Sequence, residues 1–163
     1  VLKSGERVRY IGIDAPGESE SFFKEAKEAN REMVEGKKIT LEYDMEKQDK
    51  WGRTLAYVWV DTFLVNAGLI RKGLAWVYSH RPNLKYRDYF CFLQRQAREE
   101  KIGVWSKAVP EKEEYYLGNK RSFRFHRPNC KYALQMAERN KVVFKTREQA
   151  LDSCYSPCKK CNP

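Results

Sequence analysis

Apolar positions along this chain fall into short alternating runs, then helical stripes, then alternation again. Residues 1–13 read as two strands around a turn at Ser4-Gly5. The segment FFKEAKEANREMVE, 22–35, repeats Phe22, Ala26, Ala29 and Met33 at helical spacing, and Gly36 suits its carboxyl end. Ile39, Leu41 and Tyr43 alternate with polar residues, which predicts a half-buried strand over 38–44. TLAYVWV, 54–60, is apolar on both faces and rich in β formers, so it should be the central strand. VNAGLIRKGLA, 65–75, reads as a short helix with Asn66 as its cap. Residues 86–100 form a longer helix with Tyr86, Phe90, Leu93 and Ala97 on one stripe, and Gly103 is its stop. Short strands with an early helix suggest a small barrel carrying helices on its flank.

The pattern breaks over KAVPEKEEYYLG, which is charged, contains Pro and has no period. This predicts a domain over 1–107, a linker over 108–117 and a second unit over 118–163. The second unit is too small to bury much of a core and should need a staple. Charge sharpens the division. The chain carries +10 overall; residues 1–110 hold 20 basic and 16 acidic residues, and residues 111–163 hold 12 and 6. The smaller unit is thus the more basic per residue, and nucleic acid is the first partner such a balance suggests. No apolar run approaches the roughly 18 residues of a membrane span. The opening VLKSGER has no signal-peptide pattern, and composition leaves localisation open.

Four of the five cysteines crowd into the last stretch. His126-x3-Cys130 and Cys158-x2-Cys161 are two short-spaced pairs, the way a chain offers zinc a tetrahedron. Three thiolates and an imidazole leave no open position, so the zinc would be structural. The competing reading is two disulfides and a spectator histidine. Cys154 falls outside the pairing and is expected as a buried thiol on the helix before the knuckle; Cys91 stands alone. Thr146 and Gln149 fit a capping box for that helix. FRFHRPNCKYA, NKVVFKTREQAL and YSPCKKCNP together resemble the amino-terminal metal-binding module of the DNA-alkylation repair protein Ada. In that family the first ligand is a cysteine that accepts a methyl group. His126 stands there in this chain, so the resemblance implies the fold, the zinc and a contact to the DNA backbone, but not the methyl transfer.

In RVRYIGIDAPGESE a strand-like run ends on Asp14. Asp before Ala-Pro could be a turn former. DKWGRTLAYVWVD places Arg53 between a Gly turn and the central strand. Two guanidiniums flanking one carboxylate suit phosphodiester cleavage: the carboxylate holds a hard cation and the forked donors take charge on phosphorus oxygens.

VRYIGIDAP, FFKEAKEANREMVEGKKITLEYD, DKWGRTLAYVWV, VNAGLIRKGLAWVYSHRP and QAREEKIGVWS, in that order, resemble the staphylococcal nuclease (thermonuclease) family over 1–106. The resemblance implies an α+β, mainly β fold: a five-stranded OB barrel with three flanking helices, here joined to a small zinc-stapled α/β module. It also implies calcium-dependent hydrolysis of DNA and RNA. Arg9 and Arg53 would grip the scissile phosphate, Asp14 would bind calcium, and Ala15 could lend its carbonyl. Tyr78 and His80 match nucleotide-stacking positions, Trp51 stands where the family has Tyr, and Lys50 could reach a terminal phosphate. The family's water-activating Glu is Gly17 here, so Glu18 or Glu20 would have to take that role. The family's second acidic calcium ligand should lie just before the chain begins, as though the first strand were truncated. The expectation is a monomeric endonuclease with a zinc module that adds nucleic-acid affinity, this chain being weak or inactive by itself. The alternative is a nucleic-acid-binding OB-fold and zinc protein that does not cut. Secretion or the cell envelope is implied by the resemblance alone.

Overall fold

A computed structural model describes residues 1–107, 109–110 and 113–163. The first domain is built around strand β4 (Thr54–Val60), whose Ala56, Tyr57 and Val58 are buried on both faces. β1 (Val8–Tyr10) runs parallel to it, with Arg9 opposite Leu55. β3 (Thr40–Glu42) and β5 (Phe63–Leu64) pair with β4 antiparallel. β2 (Ile13–Asp14) pairs instead with β6 (Trp76–Val77), placing Asp14 opposite Trp76. Helices α1 (Phe23–Val34), α2 (Val65–Arg71) and α3 (Arg87–Glu99) cover the sheet. Their stripes supply Ala26, Ala29, Ile70, Phe90 and Leu93 to one apolar core with Ile13, Tyr57 and Val65.

The three helices fall where helical spacing predicts them, and the domain is α+β. The barrel departs from expectation. Among the described residues the strands do not close, because β2 and β6 bond to each other and to no strand of the β4 sheet. Strands of two or three residues leave too few ladder positions to bridge that gap. Residues 1–7 also differ from the predicted strand. They form a turn, with Gly5 N–H on the Leu2 carbonyl at 3.0 Å and Leu2 N–H on that of Glu6 at 2.9 Å. The break between the first two strands instead falls at Gly12, in the left-handed region at φ 79°.

Asn66 is not the helix cap. Leu64 holds that position, and Asn66 is fully buried at 0% exposure. Its amide donates to the Ile11 carbonyl at 2.8 Å and its oxygen accepts the Val58 N–H at 2.9 Å. One side chain therefore satisfies two backbone groups of different strands, as burial requires. Helix α2 stops before the predicted 75 because Gly73 turns at φ 64°. Its backbone lies directly on Gly103, with Val104 N–H on the Gly73 carbonyl at 2.8 Å; a Cβ on either glycine would collide with the other strand of backbone.

The second unit is a four-stranded sheet in the order β10-β8-β7-β9. β7 is Tyr116–Asn119, β8 Arg124–His126, β9 Lys141–Phe144 and β10 Ser156–Pro157. β7 takes Tyr116 and Leu117 from the stretch expected as linker, while 108, 111 and 112 of that stretch lie outside the described residues. Helices α4 (Lys131–Leu134) and α5 (Arg147–Asp152) complete it. Thr146 caps α5 by accepting the Gln149 N–H at 3.0 Å, and Gln149 returns an acceptor to the Lys145 N–H at 2.7 Å. Tyr116, Phe125, Phe144, Leu151 and Tyr155 form its core.

The two units dock along α3. Cys91 and Cys154 form a disulfide, with Cα atoms 5.8 Å apart. Cys154 is therefore not the buried free thiol expected, and Cys91 is not alone; nothing in the spacing of cysteines 63 residues apart reveals the pairing. Around it, Arg98, only 7% exposed, pairs with Glu148 and with Asp152 at 3.0 Å. Arg87 donates to the Ser153 carbonyl at 3.1 Å and lies over the Phe123 ring at 4.6 Å. Among the described residues, no helix is long and apolar enough to cross a membrane.

Candidate active site and metal centre

A cleft of about 720 Å³ opens at the end of β1, β2 and β4. Strand alternation fixes its basic wall: Arg9 projects from the middle of β1, and Arg53 stands just before β4, after a turn that Gly52 makes at φ 75°. Arg9 Nη1 donates to the Ile13 carbonyl at 2.8 Å and the Tyr10 carbonyl at 3.1 Å, which anchors one edge of its fork. Its Nη2 lies 3.7 Å from Asp14 Oδ1. Burial pulls the Arg9 pKa down; Asp14 opposes that shift and the like charge of Arg53 adds to it. Arg53 is held from the rear: Nε donates to Asp49 Oδ2 at 2.7 Å, while Asp49 Oδ1 takes the Trp51 and Arg53 N–H groups. The terminal nitrogens of Arg53 have no hydrogen bond among the described residues, so its fork remains available to an anion. For Asp49, burial acts upward, but the Arg53 hydrogen bonds outweigh it and hold the carboxyl below its ordinary range.

Of the positions predicted to act together, the cleft gathers Arg9, Asp14, Lys50, Trp51, Arg53, Tyr78 and His80. Trp51 is 69% exposed, with the Lys50 ammonium 4.5 Å and the Arg53 guanidinium 5.2 Å from its ring. Tyr78 and His80 rings lie 6.2 Å apart. Ala15 packs against the core, and Glu18 is exposed; neither lines the cleft. Glu20 turns back instead, accepting the Gly17 N–H at 2.6 Å, and borders a smaller depression beside Asp14.

Among the cleft residues that sequence reasoning missed, Asp49 lies beside Arg53 in the first domain, and two come from the second unit. Lys159 Nζ lies 2.9 Å from Asp14 Oδ2, and the Arg124 guanidinium lies 4.6 Å from the Tyr78 ring centre. Asp14 is thus held between two cations, Arg9 and Lys159. Calcium takes six to eight oxygens. Asp14 is one carboxylate, and no group of three acidic donors surrounds it among the described residues. The described residues by themselves do not build a calcium site.

The zinc expectation fares differently. Donor atoms of His126, Cys130, Cys158 and Cys161 all lie within 4.8 Å of one another. Burial, then the Arg124 charge, lowers the His126 pKa and favours the neutral ring that a metal needs. Burial and the neighbouring Cys130 and Cys158 sulfurs push the Cys161 thiol up to about 12. Thiolates this close repel, and a cation is what such a set requires. The Arg127 N–H points at Cys161 Sγ at 3.4 Å, an outer-shell donor of the kind that orients metal thiolates. The set fits zinc, with every ligand supplied and none missing.

Two sheets that bring two guanidiniums and a carboxylate to one rim, joined to a module with one histidine and three cysteines at a single point, define a nuclease-type domain with a metal-binding appendage. The family model for staphylococcal nuclease homologues matches residues 7–107, and the chain belongs to that family. The model for the metal binding domain of Ada matches residues 106–163. Endonuclease YncB of Bacillus subtilis is 36% identical over 118 residues, covering 66% of this chain and 56% of that protein. A thermonuclease of Staphylococcus hyicus is 36% identical over 107 residues, covering 62% of this chain and 63% of its own length. The SPbeta prophage-derived endonuclease YokF of Bacillus subtilis is 39% identical over 110 residues, with 63% of this chain and 37% of that protein covered. The chain therefore spans less than two thirds of the length of each of these relatives.

Proposed function

We propose that this chain binds DNA or RNA in the cleft and hydrolyses phosphodiester bonds there, weakly in the form described. The observation that carries the reading is the convergence of Arg9, Asp14 and Arg53 on one rim, each held by a separate partner. Arg9 and the outer nitrogens of Arg53 bind the scissile phosphate and stabilise charge growing on its oxygens. Trp51 and Tyr78 take bases by stacking, which tolerates any sequence, and Lys50 adds backbone charge. His80 borders the same surface. Glu20, or Glu18 after a loop shift, would deprotonate the attacking water. Asp14, with the Ala15 carbonyl, would hold calcium only if further oxygen ligands were supplied from beyond the described residues, and the ion would then act as a Lewis acid. The zinc module is structural and lends its basic surface to nucleic acid. The protein acts as a monomer.

The Lys159–Asp14 pair favours a second reading, in which the cleft binds nucleic acid without cutting it. Incubation with single-stranded DNA, with calcium and then with a calcium-selective chelator that spares zinc, separates the two. Slow calcium-dependent cutting that Arg53→Gln abolishes supports the nuclease. Tight salt-sensitive binding with no cutting supports the binder, and absence of both overturns the proposal.

A further inference from the structure

Arg124 and Lys159 do more than border the cleft: they also line a second groove, about 480 Å³, lying wholly on the zinc module. Its wall includes Asn119, Tyr132, Gln135 and Lys160. Tyr132 is 50% exposed, although a tyrosine of this size would ordinarily cover apolar surface. Lys160 is exposed and has no ion pair among the described residues. The two grooves therefore meet at a shared pair of cations, and the far one offers an aromatic face beside unpaired positive charge. Basic groups tracking a backbone, with rings between them, is the arrangement that holds an unpaired polynucleotide strand.

We infer that the zinc module carries a second nucleotide subsite: a single strand seated in the cleft continues over Arg124 and Lys159 into this groove, where a base stacks on Tyr132 and Lys160 meets a phosphate. The inference rests on the proposed nucleic-acid binding and names its ligand as single-stranded, because only an unpaired base offers Tyr132 its face. The module is then part of the substrate site rather than a tether beside it. The disulfide Cys91–Cys154 and the Arg98 ion pairs fix the register of the two grooves.

Binding is measured on the full chain with labelled oligothymidylates of about 4 and about 12 nucleotides, the range of a small single-strand site. Calcium is left out so that no cutting intervenes. Tyr132→Ala should weaken the longer strand about fivefold or more and the shorter by less than about twofold. Lys160→Gln removes an exposed charge at little risk to folding. It should lower the slope of log affinity against log salt by about 0.7, one phosphate on a single strand. Zinc content confirms that each variant keeps its metal centre. Equal losses for both lengths, an unchanged salt slope, or duplex binding with the same Tyr132 dependence would overturn the inference. A chain that binds as described yet never cuts would refute the nuclease proposal alone.

Discussion

The disulfide between α3 and the end of α5 is the strongest single tie between the two units, and its removal has a calculable effect. Cys91→Ser with Cys154→Ser opens a covalent loop whose ends are 63 residues apart in sequence. In the chain-entropy account, closing a loop of that length removes unfolded-state freedom equivalent to about 4 kcal/mol. The Cα separation of 5.8 Å lies within the usual range for a disulfide. For a chain of this size the loss corresponds to a fall in Tm of roughly 8–16 °C. The ion pairs of Arg98 remain, but its partners Glu148 and Asp152 are largely exposed and replace little of it. Thermal melting of parent and double variant, both with zinc content verified, measures the difference. A thiol titration of the unreduced, unfolded and chelated parent gives an independent check. Three of the five cysteines, Cys130, Cys158 and Cys161, should react. Five reactive thiols, or a Tm that moves by less than about 2 °C, would refute the reasoning.

Other consequences are equally accessible. Asn66→Leu strands the Ile11 carbonyl and the Val58 N–H in the core and should cost at least about 2 kcal/mol in urea unfolding, since each orphaned group carries a desolvation penalty. Burial of Glu42 acts upward on its pKa, but hydrogen bonds from Lys85, Trp59 and Tyr86 overcome it and hold the carboxyl below its ordinary 4.5. The stability it contributes is complete above that pH and is lost as pH falls through the lowered value, so Glu42→Gln should flatten the acid limb of a stability–pH curve. Elemental analysis should find one zinc per chain. Cys158→Ser should release the metal at neutral pH.

Signals confined to one segment are readable in the sequence and those spanning segments are not. TLAYVWV announces the central strand because burial on both faces leaves a continuous apolar run, and α1 and α3 announce themselves by their stripes. His126, Cys130, Cys158 and Cys161 are readable because a metal site demands short-spaced pairs whatever the fold around them. Asn66 misleads for the same reason of locality: a polar residue at a helix start reads as a cap, and only the two strands packed over it reveal that it bonds to them instead. The closed barrel comes from resemblance, and strands of two or three residues carry too little pattern to test it. Arg124 and Lys159 are the instructive failures. Each sits in a local context that explains it fully: one is the polar face of a short strand, the other solvates a CxxC knuckle. Their place in the cleft follows from docking along α3, which depends on Cys91, Arg87 and Arg98 meeting residues at least 50 positions away. Basic side chains on a zinc knuckle signal a polyanion only in general terms; it is the rigid attachment to a second basic cleft that sets Lys159 against Asp14 and Arg124 over Tyr78. In a chain of two small units, the chemistry most worth finding lies at the seam, where neither unit's sequence pattern has any reason to record it.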